Sequence, residues 1–430
     1  MSIFELHERV LADYGDFVGS FVRIADERLR EFVRQMLEEE RRLWPEPLLQ
    51  LSPAYRRAQT VEELAREGVL HEETARIFRR ADGRSFRLFQ HQVEAIRLAA
   101  EGKSFVVTSG TGSGKSFCYF IPIVDAVVRQ PGESGLVAIV VYPMNALVNS
   151  QEQALRELAR RYRERTGREM PVRFARYTGE TPEEEREQIR RHPPHILLTN
   201  YVMAELLLVR PEDRNLITPH SALPTSHSPS AIRHSPFFLV FDELHTYRGR
   251  QGADVAMLVR RLRARLERPR VVHIGTSATL VAHPDATPEE RRQVVADFAS
   301  RFFGTSITPA EVIEETLEPA TVGGPPTPEE LRKTLSEPFP EEIEALRRHP
   351  LARWLEYELG LVQEADGRLR RRMPRPLSEL ACTLSQTTGH SENSCHRTLE
   401  AFFTHVAQLN RQLPEPFFAF KLHQFISQGR

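Results

Sequence analysis

From about residue 85 to about residue 282, short apolar runs alternate with longer stretches whose apolar residues recur every three or four positions. The runs at 104–108, 137–142, 172–177, 196–199, 237–241 and 271–275 are rich in Val, Ile, Leu and Phe, which predicts strands. The stretches at 115–129, 146–164, 182–191, 201–209 and 251–267 carry the helical period. Strands that are apolar almost throughout, rather than at every second position, fit burial on both faces. The expected fold class is therefore α/β, a mostly parallel sheet covered by helices on both sides. Thr181, with Pro182 after it and Glu184 three residues on, is an expected helix start.

The flanks read differently. Residues 1 to about 43 have the helical period, with Phe17, Phe21, Leu29, Phe32, Val33, Met36 and Leu37 near spacings of three and four, and Trp44-Pro45-Glu46-Pro47 stops it. Two short helices are expected next, the first opened at Thr60 by a capping box closed by Glu63. This gives a helical N-terminal region over 1–84, ahead of an α/β domain over 85–282. Within that domain, 211–236 is rich in Pro, Ser and His and reads as a surface loop. Residues 283–345 are rich in Glu and Pro, with Val322-Gly323-Gly324-Pro325-Pro326, and read as a linker or insertion. Residues 346–430 read as helical again. Their 376–409 stretch is a helix, a turn around Gly389 and a helix, which is either half of a winged-helix module or a docked helical hairpin.

Composition narrows the function classes. With 40% hydrophobic and 27% charged residues over 430 positions, the chain suits two or three globular domains. No apolar run approaches the roughly 20 residues that span a bilayer. The N-terminal segment lacks the basic and apolar regions of a signal peptide, so a cytoplasmic address is expected. Cys118, Cys382 and Cys395 are scattered, which offers neither a disulfide framework nor a paired-cysteine zinc site. A net charge of -1 gives no overall footprint for nucleic acid, so any such surface is local. Only four residues are lysine, so the positive charge is nearly all arginine, as codon bias alone would produce.

Two segments carry chemistry. Ser109-Gly110-Thr111-Gly112-Ser113-Gly114-Lys115-Ser116 follows an expected strand and precedes an expected helix, the context of a phosphate-binding loop. Glycines let backbone amides converge on phosphates, and the helix N-terminus adds its positive dipole end. Lys115 is placed to reach the β- and γ-phosphates, and the Ser116 hydroxyl to hold Mg²⁺. The generic pattern starts with Gly, where this chain has Ser109. In the second segment, Phe237-Phe238-Leu239-Val240-Phe241 is an apolar run that delivers Asp242 and Glu243 to a strand end, where ligands bind in open α/β sheets. Adjacent carboxylates there point in different directions, so Asp242 can serve Mg²⁺ while Glu243 orients and deprotonates the attacking water.

With those segments in place, the chain resembles a superfamily 2 DExH-box helicase, whose motifs appear in order. Leu88-Phe89-Gln90-His91-Gln92 is similar to the adenine-reading motif, which makes Gln92 the implied base contact. Residues 109–116 resemble motif I, and Asp242-Glu243-Leu244-His245 resembles motif II. Ser277-Ala278-Thr279 resembles motif III, so His245, Ser277 and Thr279 are implied to couple nucleotide state to grip. Tyr142-Pro143-Met144-Asn145-Ala146-Leu147, Tyr177-Thr178-Gly179 and Leu198-Thr199-Asn200-Tyr201 resemble the strand-contacting motifs. They imply nucleic-acid contacts at Pro143, Asn145, Gly179, Thr199 and Asn200, made to phosphates without reading sequence. The string 242–256 narrows the resemblance to large bacterial helicases related to Lhr and to the DUF1998-associated group, found in DNA repair and in anti-phage defence. The resemblance covers 85–282 well and implies a RecA-like lobe, ATP and Mg²⁺ as cofactors, DNA as partner and 3′ to 5′ movement.

Weaker signals remain. Arg260, Arg261, Arg263, Arg265, Arg268 and Arg270 crowd one expected helix, and Arg368, Arg370, Arg371, Arg372 and Arg375 a later loop. Each is either a solvated face or a nucleic-acid contact. His220, His227 and His234 are too widely spaced for a metal site. No Q-x-x-G-R-x-x-R string follows Thr279. The expectation is thus an ATP-binding lobe whose second RecA lobe, with its arginine finger, lies in a missing C-terminal part or on a partner subunit. The alternative is a nucleotide-gated module, or a defence-complex subunit, that grips nucleic acid without turning over.

Overall fold

The computed structural model describes all residues except 1, 22–23, 37–43, 111, 131–134, 218–235, 279–285, 365, 414–415 and 426–430. The expected histidine loop therefore falls mostly outside the described residues, with His220, His227 and His234. The chain divides into two compact units, Tyr55–Thr316 and Met1–Ala54 with Leu317–Arg430.

The first unit is built on seven strands: β1 (Phe105–Thr108), β2 (Ala138–Tyr142), β3 (Phe174–Arg176), β4 (Ile196–Asn200), β5 (Phe237–Phe241), β6 (Val271–Ser277) and β7 (Val312–Glu314). They lie in the order β7-β1-β6-β5-β2-β4-β3, and every pairing is parallel. α1 (Gln90–Ala100) leads into β1; parallel neighbours need crossovers, and helices supply them: α2 (Phe117–Val128), α3 (Asn145–Thr166), α4 (Glu183–Arg191), α5 (Tyr201–Val209), α6 (Gly249–Leu266) and α7 (Pro288–Phe303). This is the α/β class, a parallel sheet covered by helices on both sides, expected from the pattern. Alternate strand residues enter opposite cores, because side chains alternate across a sheet. Phe105, Val107, Ala138, Val140, Tyr142, Ile196, Leu198, Phe238 and Val240 face one core, with Val93, Ile96, Tyr119, Ile123, Leu155 and Tyr162 from α1, α2 and α3. Val106, Ile139, Val141, Leu197, Phe237, Leu239 and Phe241 face the other, with Met203, Leu258, Leu262, Phe302 and Phe303 from α5, α6 and α7.

Several boundaries differ from expectation. The 283–345 stretch holds α7, whose start is a capping box of Thr287 and Glu290 with Pro288 at its first position, and β7, which pairs with β1. Thr181 does not cap α4. Its hydroxyl instead accepts the Thr178 N–H at 2.9 Å and closes the turn before the helix. Arg260 and Arg263 point their guanidinium groups at the last carbonyls of α7, with Arg260 donating to Phe302 and Arg301 and Arg263 to Gly304. Two charges of that cluster thus finish a helix end.

The second unit contains the helices Ile3–Gly19 and Glu27–Arg34, where the pattern predicts one helix. Asp26 starts the second by accepting the Leu29 N–H at 2.9 Å. Leu48–Ser52 is a strand inside the region read as helical, flanked antiparallel by Arg375–Pro376 and Ala419–His423. The helices Leu377–Thr388 and Glu392–Asn410 turn at Gly389, whose φ of +76° favours glycine. Leu380, Leu384, Leu399, Phe402, Phe403 and Val406 bury between them. In the nearby arginine cluster, Arg368 lies by Asp366, Arg370 by Glu364, and Arg375 by Glu358 and Glu379. Arg372 donates to the carbonyls of Tyr357 and Leu361. Much of that positive charge is answered locally.

Candidate nucleotide site and nucleic-acid face

β1 feeds directly into the 109–116 loop, and α2 starts behind it with Ser116 at its N-cap. Gly112 and Gly114 have φ of +83° and +69°, the left-handed region that L side chains rarely adopt. A Cβ on Gly114 would also lie 2.6 Å from Gln92 Nε2 and displace the end of that side chain. The Ser109 and Ser113 hydroxyls bond to each other at 2.6 Å and brace the loop from inside. Lys115 folds back over it, Nζ donating to the Ser109 carbonyl at 3.0 Å and the Gly110 carbonyl at 3.4 Å. Thr111 lies outside the described residues.

Gln92 sits on the first turn of α1. Its Oε1 accepts the Phe89 N–H at 2.9 Å and its Nε2 donates to the Gly114 carbonyl at 2.9 Å. His91 bonds the Ser113 carbonyl at 3.0 Å beside it, and burial pushes its pKa down. These two side chains hold the rear of the phosphate loop. Tyr55, Phe89 and His91 stand ring against ring next to them, with centroids 5.0 Å apart for Tyr55–Phe89 and 5.7 Å for Phe89–His91.

β5 ends at Asp242 and Glu243, as its sequence predicts. Asp242 is buried and accepts the Thr276 hydroxyl. Burial pushes its pKa up to about 6; the Thr276 bond opposes that rise and neighbouring Glu243 adds to it. Glu243 has φ +53°, a left-handed conformation that costs a non-glycine residue roughly 1 kcal/mol or more. Such strain persists where the surroundings fix it, and here the Glu243 N–H donates to Thr276 Oγ1 at 3.2 Å. The turn brings Glu243 Oε1 to 3.9 Å from Lys115 Nζ. His245 Nδ1 is 3.3 Å from the other oxygen, Oε2, and 3.3 Å from Ser277 Oγ, yet among the described residues no donor meets Oε2 in hydrogen-bond geometry. Thr279 lies outside the described residues.

The ends of β2, β3 and β4 form a second surface. Asn145 opens α3 and Asn200 caps α5, accepting the Met203 N–H at 2.8 Å. Asn200 Nδ2 donates to Asn145 Oδ1 at 2.6 Å, and Asn145 Nδ2 to Glu180 Oε1 at 2.9 Å. Gly179 is exposed next to them and Pro143 half-buried. Thr199 differs from its expected role. It is fully buried, and its hydroxyl donates to the Tyr177 carbonyl at 2.7 Å, so it shapes the neighbouring turn from within.

Residues 89–287 match the model of the DEAD/DEAH box helicase family. The chain carries a DEAD/DEAH box helicase domain. It is 27% identical over 366 residues to the Druantia protein DruE of Escherichia coli, covering 61% of this chain and 20% of that protein. It is 30% identical over 206 residues to the uncharacterized ATP-dependent helicase YprA of Bacillus subtilis, covering 47% of this chain and 24% of that one. Among solved structures it resembles the DUF1998 helicase MrfA bound to DNA and AMPPNP, with 21% identity and a TM-score of 0.46 over 70% of this chain and 38% of that one. The chain thus spans about a fifth to a quarter of the length of these curated relatives.

Two polar partners in the first unit escaped the motif reading. Thr276 stands one residue before the motif III match and joins Asp242 to Glu243; a short hydroxyl at a β-strand end gives no signal by itself. Glu315, in the stretch read as a linker, accepts the Gly110 N–H at 2.8 Å because β7 pairs with β1. Among the described residues, no helix is long and apolar enough to cross a membrane.

Proposed function

We propose that this chain binds ATP with Mg²⁺ at the ends of β1 and β5, and that it is the ATP-binding lobe of an ATP-driven DNA helicase or translocase. The observation that carries the reading is the convergence of Lys115, Glu243 and the Thr276-held Asp242 at the glycine loop. The donor set fits these ligands. Mg²⁺ takes few protein ligands and completes its shell with phosphate oxygens and water, so one hydroxyl and one carboxylate are enough. A carboxylate buried like Asp242 gains a counter-charge from such an ion.

Bound there, Mg²⁺ would neutralise phosphate charge, with Ser116 and Asp242 holding it. Lys115 exchanges the carbonyls of Ser109 and Gly110 for the β- and γ-phosphate oxygens. The loop amides from Gly112 to Ser116 close on the same phosphates, and Gln92, with the Tyr55–Phe89–His91 rings, borders the base. Glu243, set between Lys115 and His245, orients the attacking water and takes its proton. His245 lies between Glu243 and Ser277, the first residue of the motif III segment, where nucleotide state is passed on, with Thr279 completing that segment. Asn145, Gly179 and Asn200 offer amides and two helix N-termini to a phosphate backbone that runs beside Pro143, and Thr199 supports them. DNA is favoured by the resemblance of 242–256 to Lhr-like and DUF1998 helicases. A second RecA-like lobe, from the rest of the protein or a partner subunit, supplies the arginine finger.

Calorimetric titration with MgATP tests the reading. Lys115→Ala should weaken binding by about 10- to 100-fold, since hydrogen bonds to a charged group are each worth roughly 1.5–3 kcal/mol. Equal affinity in the two proteins would refute the assignment of the loop.

A further inference from the structure

The side chain that claims the first glycine of the phosphate loop comes from beyond residue 287, where the match to the helicase family ends. β7 runs parallel to β1 with Glu314 beside Thr108, so the next residue, Glu315, emerges at the start of the loop. Its backbone is fixed on both sides. The Glu315 N–H donates to the Thr108 carbonyl at 3.1 Å, and the Thr316 carbonyl accepts the Arg56 N–H at 2.8 Å. From that anchored position the half-buried side chain accepts the Gly110 N–H on Oε2 at 2.8 Å.

That N–H belongs to the Ser109–Gly110 peptide, whose planar trans geometry sends its carbonyl the opposite way. The Ser109 carbonyl accepts Lys115 Nζ at 3.0 Å. One peptide thus stands between an anion on its N–H and a cation on its oxygen. Hydrogen bonds in series polarise one another, so a carboxylate at the N–H makes the carbonyl a better acceptor for the lysine. The preceding peptide is held by Ser277, whose carbonyl accepts the Ser109 N–H at 3.1 Å. Gly110 has no side chain to oppose rotation of its peptide, and Glu315 supplies the stop. Lys115 has a competing partner. Glu243 Oε1 is 3.9 Å from Nζ, the Lys115 side chain is only 9% exposed, and a carboxylate binds an ammonium more strongly than a neutral carbonyl does. A lysine that moved onto Glu243 would be lost to the phosphates, and Glu243 would be lost as a base.

We propose that Glu315 is a positioning residue of the nucleotide site. Through the Ser109–Gly110 peptide it keeps Lys115 on the phosphate loop and apart from Glu243, ready for a polyphosphate. This role rests on the functional reading above and adds to it a residue that acts through the loop rather than on the nucleotide.

The test titrates the full chain with mant-labelled AMPPNP in magnesium buffer. Wild type is compared with Glu315→Ala, Glu315→Gln, Lys115→Ala and the Lys115→Ala, Glu315→Ala double variant, and thermal unfolding shows that each is folded. Glu315→Ala should weaken binding by about five- to twentyfold, the range of one hydrogen bond. Glu315→Gln, whose amide oxygen can still accept the Gly110 N–H, should recover affinity to within about threefold of wild type. In the Lys115→Ala background, Glu315→Ala should cost less than about twofold, because its path runs through the lysine. A general loosening of the loop would weaken both backgrounds alike. If Glu315→Ala does not fold, Glu315→Thr, suited to a strand end and too short to reach Gly110, takes its place with the same expectations. Wild-type affinity in that folded variant, a Gln variant as weak as Ala, or an undiminished loss beside Lys115→Ala would each overturn the role of Glu315 and leave the functional reading standing. A wild type that does not bind mant-AMPPNP would overturn that reading and this role with it.

Discussion

Along one edge of a single sheet, the ends of β1, β5 and β6 gather a lysine, two carboxylates and a glycine loop, whereas the ends of β2, β3 and β4 present two amides, a glycine and a surface glutamate. The first group is buried, strained at Glu243 and internally paired, with Lys115 on its own loop carbonyls and Asp242 on Thr276. The second is half-exposed and linked amide to amide from Asn200 to Asn145. Each suits a different task. A compact polyphosphate needs concentrated charge in a dry, fixed geometry, where electrostatic contacts are strongest. A repeating backbone that is held and released needs neutral donors that let go. The same parallel sheet supports both because its strands all end on one side, and only the residues after each strand differ.

The strongest way to break this comparison is to remove the charge that does chemistry. In the full-length protein, Glu243→Gln should keep nucleotide binding and lower DNA-stimulated ATP hydrolysis by about 10²- to 10⁴-fold, the usual worth of a positioned base. Normal turnover in a steady-state assay would assign water activation to another residue.

A smaller effect concerns what the buried charge costs. Asp242 has a folded pKa of about 6, above its unfolded value near 3.8. Its contribution to stability is therefore fully present below about pH 4 and is lost as pH rises through about 6. Without nucleotide or Mg²⁺, Asp242→Asn should raise the melting temperature at pH 8, by the equivalent of at most about 3 kcal/mol. The gain should shrink toward zero near pH 4. Thermal unfolding across that range decides it; a pH-independent difference would mean that packing, and not charge, is what changed.

The smallest effect sharpens the other side. Asn200→Ala removes the cap of α5 and the partner of Asn145, which together should weaken single-strand binding by about two- to tenfold and cost roughly 1 kcal/mol of stability. Nucleotide affinity measured without DNA should hold. If it falls equally, the two surfaces are not separable and the comparison fails.

Much of the first unit was legible because its signals are local. Continuous apolar runs gave β1, β2, β4, β5 and β6 to within a residue or two, and the glycine loop announced the start of α2. Where the reading slipped, competing local signals were at work. The proline- and glutamate-rich stretch after 282 masked α7, although Thr287-Pro288-Glu289-Glu290 is the same kind of start signal that Thr60 and Glu63 provided. The strand Leu48–Ser52 followed a proline stop and was too short to stand out from helical surroundings. Thr199, grouped with exposed contacts by its motif, turned inward because the turn at Tyr177 needed a donor for its carbonyl.

The sequence by itself determined the strand and helix periods, the glycines of the phosphate loop, and the delivery of Asp242 and Glu243 to a strand end. These are set by backbone sterics and side-chain alternation, which act within a turn or a strand. Only the tertiary structure decided the partners of those residues. Thr276 reaches Asp242 across 34 positions because β6 lies beside β5, and Glu315 reaches Gly110 across 205 because β7 lies beside β1. Tyr119 meets Tyr142 because a helix and a strand pack on one core. Strand order and register make such pairs, and no local pattern encodes which strand will be the neighbour.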